Sequence, residues 1–284
     1  MWLEKFFKKQ FISFCKEENY KCIIETVKNK KILSTETKEF EEGKEFVRFI
    51  KSKIEENPQT YVSTVLFTIN QGVVPSCNKQ TYLKYEIDID NVTTVCINNK
   101  YSFYASNYEI INLKREYGFE IDFIYSVFAV MDYLATERKN RFYVLALKNK
   151  IAILGYENLI PIFHDIIESD AHHHATSTEV EDIDFEKDII SDINDIESIE
   201  EEDIETPEDE DILKEMELVD ILKEAIKEYY EHYSSDFIEK IIILDTIGLD
   251  ITLNKFIEDE LLIPSEIKQI DLLNSINRLS IESI

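Results

Sequence analysis

Residues 142–167 decide the reading of this chain: Phe142-Tyr-Val-Leu-Ala-Leu147, a Lys148-Asn-Lys150 turn, Ile151-Ala-Ile-Leu154, a turn at Asn158, and the run Ile160 to Ile167. Apolar, β-branched runs divided by short polar turns predict three consecutive strands. The chain opens with the same grammar: Phe11-Ile-Ser-Phe-Cys15, a polar turn through Asn19, Tyr20 to Val27, a Lys28-Asn-Lys-Lys31 turn, and a third extended run from Ile32. A helix is predicted next over Lys44 to Glu56, where Phe46, Val47, Phe49, Ile50 and Ile54 recur at helical spacing and Asn57-Pro58 closes the pattern. A buried strand then runs from Tyr61 to Ile69. In the second half, Leu213 to Tyr233 reads as a helix, Ile241 to Leu244 as a short buried strand and Leu253 to Leu261 as a helix, ahead of the extended Ile263-Pro264. Meander, helix, strand and helix, written twice, predict an α/β protein of two related lobes.

Composition supports a folded chain and narrows its partners. The 284 residues are 44% hydrophobic and 12% aromatic, enough for two cores. No run reaches the roughly 18 to 20 apolar residues of a spanning helix, and the N-terminus lacks a secretory signal pattern, so a cytoplasmic location is expected. The formal charge of −27 argues against nucleic acid, which is bound by neutralising phosphates with Lys and Arg. Residues 179–211 hold eighteen Asp or Glu against the single Lys187, and the stretch 171–212 reads as an acidic disordered linker. Cys15, Cys22, Cys77 and Cys96 have neither CxxC nor zinc-like spacing and read as buried, reduced thiols. His172-His173-His174 reads as a solvated run rather than a metal site, and His232 as a partly buried structural histidine. The alternation from Tyr82 to Tyr108 predicts strands of a small subdomain. No Walker, Gly-x-Ser-x-Gly or His-Glu-x-x-His motif supports an enzyme.

In four places the sequence resembles the actin-like PilM family of pilus assembly proteins and the related cytoplasmic domain of GspL proteins of type II secretion. These are the aromatic and basic lead Met1-Trp-Leu-Glu-Lys-Phe-Phe-Lys-Lys9, the strand pair Phe11 to Lys21, the segment Tyr117 to Met131 before the second meander, and the closing Ile226-Lys-Glu-Tyr-Tyr230, Ile241 to Leu244 and Phe256 to Pro264. The resemblance implies an actin-like (ribonuclease H-like) two-lobe fold. A basic aromatic segment (1–10) leads into a first lobe (11–139) that carries an inserted subdomain (75–118). The second lobe comprises 140–170 and 213–284, and the linker stands where the family has a further small subdomain.

The resemblance also implies where a nucleotide would sit, and there the sequence departs from the family. Actin-like ATPases hold phosphates on Asp-Ile-Gly loops and a later Gly-Gly loop, whose glycines let backbone N–H groups approach the ligand. Here the first loop aligns Phe14 and Lys16 with Asp and Gly, the second aligns Ala146 and Lys148, and the third reads Asp245-Thr246-Ile247 at the expected glycines. The chain has only five Gly. No cofactor and no metal is expected, and a pseudo-ATPase scaffold follows.

Its implied partner is the cytoplasmic N-terminal tail of a PilN-like inner-membrane protein, at which the chain would be peripheral, with a homo-oligomer or ring possible in principle. Tyr101, Phe103 and Tyr104 are candidates for the tail groove, with core packing as the alternative. Trp2, Phe6 and Phe7 are candidates for contact with a membrane or partner. Two other readings stay open, an actin-like ATPase with atypical loops and an acidic adaptor that recruits partners through 171–212.

Overall fold

The computed structural model describes residues 8–168 and 207–284, and of residues 207–215 the backbone alone. Trp2, Phe6, Phe7, His172, His173, His174 and most of the acidic stretch lie outside the described residues.

The first meander forms β1 (Lys9–Lys16), β2 (Tyr20–Lys28) and β3 (Lys31–Phe40), followed by α1 (Gly43–Glu56) and β4 (Thr60–Leu66). An insertion supplies β5 (Gln71–Val74), α2 (Lys79–Lys84), β6 (Val92–Ile97), β7 (Tyr101–Ser106) and α3 (Asn107–Tyr117) before β8 (Phe123–Ser126) and α4 (Val127–Leu134). The second meander is β9 (Arg141–Leu147), β10 (Lys150–Glu157) and β11 (Ile160–Glu168). Then come α5 (Pro207–His232), β12 (Lys240–Asp245), α6 (Thr252–Leu261), β13 (Ser265–Gln269) and α7 (Leu272–Glu282).

The strand orders show the duplication directly. The first sheet runs β3-β2-β1-β4-β8 and the second β11-β10-β9-β12-β13. In each, an antiparallel meander is extended by two parallel strands, β4 beside β1 and β12 beside β9. The insertion forms its own sheet, β5-β7-β6.

Strand alternation gives each sheet two buried faces. In the first, Ile12 and Phe14 point outward to α1 and the end of α3, where Phe14 meets Tyr117 at 4.8 Å and Phe46 at 5.2 Å between ring centroids. Phe11, Ser13 and Cys15 point the other way, onto α7. In the second sheet Phe142, Val144 and Ala146 face α5 and α6, while Tyr143, Leu145 and Leu147 face α4. Helices α4 and α7 thus lie between the two sheets.

The structure also revises several expectations. Helix α7 and strand β13 are not assigned by the sequence reading, although Asp271 caps α7 by accepting a hydrogen bond from the Asn274 N–H. Helix α5 begins at Pro207 rather than Leu213, so 207–212 is helix and not linker; proline suits a first helical position. Tyr82 lies in helix rather than strand because Asn78 accepts the Gln80 N–H and starts α2. His232 is exposed on α5 rather than partly buried. Cys77 and Cys96 are joined as a disulfide, 5.5 Å apart at Cα, since the fold of the insertion brings residues 19 apart in sequence together; only Cys15 and Cys22 are free.

A buried polar chain fastens α7 to the first sheet. Ser13 Oγ donates to Asn277 Oδ1 at 2.8 Å and lies 2.7 Å from Ser63 Oγ, while Asn277 Nδ2 donates to Glu25 Oε2 at 2.8 Å. Glu25 is 2% exposed and Asn277 0%. Asn277→Ala removes one hydrogen bond from each of Ser13 and Glu25, which keep Ser63 and Thr35 as partners, and is expected to cost about 1–3 kcal/mol, read from urea unfolding.

The insertion seats on the second lobe through His164 of β11. Its Nε2 lies 3.3 Å from the Tyr104 hydroxyl, and its ring packs 5.3 Å from that of Phe128. It also lies so close to Gly72 that a Cβ there would come within 2.0 Å of Nε2. Burial holds the imidazole pKa down to about 4. In the unfolded chain the group titrates near ~6.5, so protonation below that favours unfolding. Stability should therefore fall as pH drops from about 6.5 toward 4, by on the order of 2–3 kcal/mol. In His164→Gln this part of the pH profile, followed by denaturant midpoints, should flatten.

Candidate functional site

The three loops singled out in the sequence converge where the lobes meet. The β1–β2 turn carries Glu17 and Glu18, the β9–β10 turn carries Lys148, and the loop after β12 starts at Asp245. Lys148 Nζ contacts Glu18 Oε1 at 2.5 Å, joining the hairpin tips of the two lobes. Lys150, the first residue of β10 after that turn, donates to the Phe67 carbonyl at 3.0 Å and to Glu168 at 2.8 Å. Both members of the Lys148–Glu18 pair are exposed, which limits its worth to about 0–1 kcal/mol. The lobes are held by the α4 and α7 packing, and the ion pair occupies the space between the tips.

Strand parity alters which residues face that space. The side chains of Phe14 and Ala146 lie on the outer faces of their sheets, and Lys16 turns to Glu116, 3.7 Å away, and to the Tyr20 ring. The terminal positions on the interlobe side are Cys15 and Leu147. Neither is a carboxylate. The Cys15 thiol is pushed up to about 12, first by burial and then by Glu17, so at neutral pH it remains a thiol and neither attacks nor ligates.

The third loop is filled by its own side chain. Asp245, 2% exposed, accepts the backbone N–H of Ile247 and Gly248 at 2.9 Å each on Oδ1, and that of Leu249 at 3.0 Å on Oδ2. A run of N–H groups aimed at one point is an anion-binding nest. Here its anion is a carboxylate of the chain. Thr246 is stitched to β9, its N–H and Oγ1 both donating to the Ala146 carbonyl, at 3.3 Å and 2.7 Å. Gly248, with φ of 88°, occupies the left-handed turn that closes the loop.

Of the groove candidates, Tyr101 and Phe103 are buried in the interlobe core at 2% and 4% exposure. Tyr101 donates to Asp132 Oδ2 at 2.9 Å and Tyr156 to Asp132 Oδ1 at 2.7 Å, tying β7, α4 and β10 to one buried carboxylate; desolvation and that charge raise both tyrosine pKa values. Only Tyr104 is partly exposed, and it faces His164. Sequence reasoning missed Asp132, whose signal is faint: one acid inside the apolar run Val127 to Leu134. Among the described residues no cluster of three or more His, Cys, Asp or Glu is placed to hold a metal, and no helix is long and apolar enough to cross a membrane.

Residues 90–284 match a family model described as a domain of unknown function, DUF8341. The chain belongs to the DUF8341 family. A second model, domain of unknown function DUF8569, matches residues 6–132. No curated protein matches the sequence. Among solved structures, a chain of the PilM-PilN type IV pilus biogenesis complex superposes with a TM-score of 0.50 at 11% identity, covering 95% of this chain and 90% of that one. A Bacteroides thetaiotaomicron protein of unknown function with an actin-like ATPase fold gives 0.48 at 11% identity, covering 97% and 95%. The cytoplasmic domain of EpsL, an inner membrane component of the Vibrio cholerae type II secretion system, gives 0.43 at 9% identity, covering 97% and 96%. The fold is actin-like, and the resemblance to PilM proteins read from the sequence is borne out at the level of fold.

Asp245→Ala leaves three backbone N–H groups without their acceptor and is expected to destabilise the protein by about 3 kcal/mol or more. Lys148→Ala should cost under about 1 kcal/mol, because the pair it breaks is exposed. Denaturant unfolding of the two variants side by side checks the ranking.

Proposed function

We propose that this DUF8341 protein is a non-catalytic actin-like platform subunit of an envelope machine of the type IV pilus or type II secretion kind. It works in the cytoplasm and is held at the inner membrane by the cytoplasmic tail of a PilN-like partner. The reading rests on the loops between the lobes: Asp245 takes the backbone N–H groups of the third loop, and Lys148 with Glu18 takes the space between the other two. A nucleotide phosphate would have to displace one carboxylate and would meet Glu17 and Glu18 beside it. Both glutamates are exposed, so at close range the like charges repel by on the order of 1 kcal/mol, the value for a water-screened pair.

The likeness to a chain of the PilM-PilN complex supports the kind of partner. Tyr104 and the N-terminal Trp2, Phe6 and Phe7 remain the candidates for contact with that partner, whereas Tyr101 and Phe103 act as core. The lobes form a body bridged by α4, α7 and the insertion, which suits a part that is built into an assembly. The acidic segment is an attached feature of the platform in this reading, and assembly into a ring is compatible with it.

A ligand that binds the folded state alone raises stability by RT ln(1 + [L]/Kd), about 2.7 kcal/mol at a hundredfold excess over Kd. Thermal-shift titration with Mg-ATP and Mg-ADP should therefore leave the melting temperature unchanged at millimolar nucleotide. A saturable, Mg-dependent rise would replace the platform reading with that of an actin-like ATPase using atypical loops.

A further inference from the structure

The first lobe carries, on the outer side of α1, an open groove of about 860 Å³ floored by Tyr20, Tyr117 and Val47 and bordered by Lys44, Arg48 and Lys51. The three cations stand at i, i+4 and i+7, one stripe of the helix. All three are exposed, and among the described residues none makes an ion pair or side-chain hydrogen bond, in a chain of 58 acids and 31 Lys or Arg. An acid-rich protein offers many nearby partners to any surface lysine, so three adjacent cations left unpaired above an aromatic floor form a local inversion of its charge.

The other boundaries of the groove are equally specific. Gly43 opens one end, where a Cβ would come within 2.8 Å of the Tyr20 hydroxyl. Lys51 Nζ lies near Gly118 at the C-terminal end of α3, where the helix dipole favours a cation. Glu55 and Glu116 stand on the rim, Glu116 already engaged with Lys16.

We propose that this groove docks an extended acidic segment of a partner protein, with apolar or aromatic side chains set against Tyr20 and Tyr117 and carboxylates against Lys44, Arg48 and Lys51. The inference goes beyond the platform reading and does not depend on the interlobe loops. The stripe spans about 10 Å along the helix, given a rise of ~1.5 Å per residue. Same-side residues of an extended chain recur at about 6.6 Å, so two or three carboxylates match that span. A single phosphate group would need donors converging on one point, which the stripe does not supply. A membrane surface would need the cations to protrude, whereas these border a concavity.

The test is fluorescence anisotropy on the full chain with a fluorescein-labelled peptide of the repeating sequence Glu-Asp-Phe-Glu-Asp-Leu, in parallel with vesicles containing phosphatidylserine. The acidic peptide should bind saturably and weaken as salt rises. The variant Lys44→Glu/Arg48→Glu/Lys51→Glu should lower its affinity by at least about tenfold, and the Gln triple variant by less. A control reversal on α2, Lys79→Glu/Lys84→Glu, should leave binding unchanged, and circular dichroism should show every variant folded. The proposal is overturned if the wild type fails to bind the peptide, if the reversed groove binds it equally, or if a Lys-substituted peptide binds as well. Vesicle binding that disappears with the groove reversal, without peptide binding, would assign the stripe to lipid instead.

Discussion

Everything in this fold hangs on two helices that lie between its sheets. α4 and α7 fill the space between the sheets, α7 with Leu273 and Ile281 toward the first and Leu272 and Ile276 toward the second. Each sheet is apolar on both faces and exposes a layer of Val, Ile, Leu and aromatic side chains unless these helices cover it. Burial at about 25 cal/mol per Å² makes that layer a dominant stabilising term, shared by the two lobes rather than owned by either. Nucleotide-dependent opening in an actin-like protein requires its lobes to move against each other. Here the shared core is reinforced by Lys150 on the Phe67 carbonyl, by Asp132 gathering Tyr101 and Tyr156, and by His164 seated on Gly72.

Much of this was legible in the sequence, for a physical reason. A meander of β-branched runs is a local pattern, and its recurrence at residues 142–167 carries the duplication without knowledge of contacts. What the sequence hid are features that depend on which side of a strand a residue occupies. Phe14 and Ala146 align with catalytic acids by spacing alone, yet both point to the outer helices, because a period of two reverses a side chain with a shift of one residue. The strand positions that turn toward the other lobe are instead Cys15 and Leu147. Asp132 and the Cys77–Cys96 pair were equally hidden, since a lone acid in an apolar run and two cysteines 19 apart acquire meaning only from tertiary placement. Helix α7 was within reach: Asp271 followed by Leu272, Leu273 and Ile276 is a capped amphipathic start.

The third loop shows how a run of converging backbone donors can be closed from inside the chain. Its N–H groups still converge, and Gly248 still supplies the left-handed turn, but the convergence is satisfied from inside by Asp245. Such a loop is more rigid than an open one, because its donors no longer wait for a ligand. The loop also fixes the end of β12 against β9 through Thr246 and the Ala146 carbonyl.

The link between Ser13 and Asn277 joins residues 264 positions apart. While the chain is being synthesised, the inner face of the first sheet has no cover until α7 has emerged. The first lobe cannot mature ahead of the second, as independent domains do, and formation of the shared core must wait for α7. Contacts of such long sequence separation slow folding and leave an apolar surface open to association in the interval. A nascent chain of this design has reason to depend on a chaperone, and a premature stop ahead of α7 should cost both lobes at once.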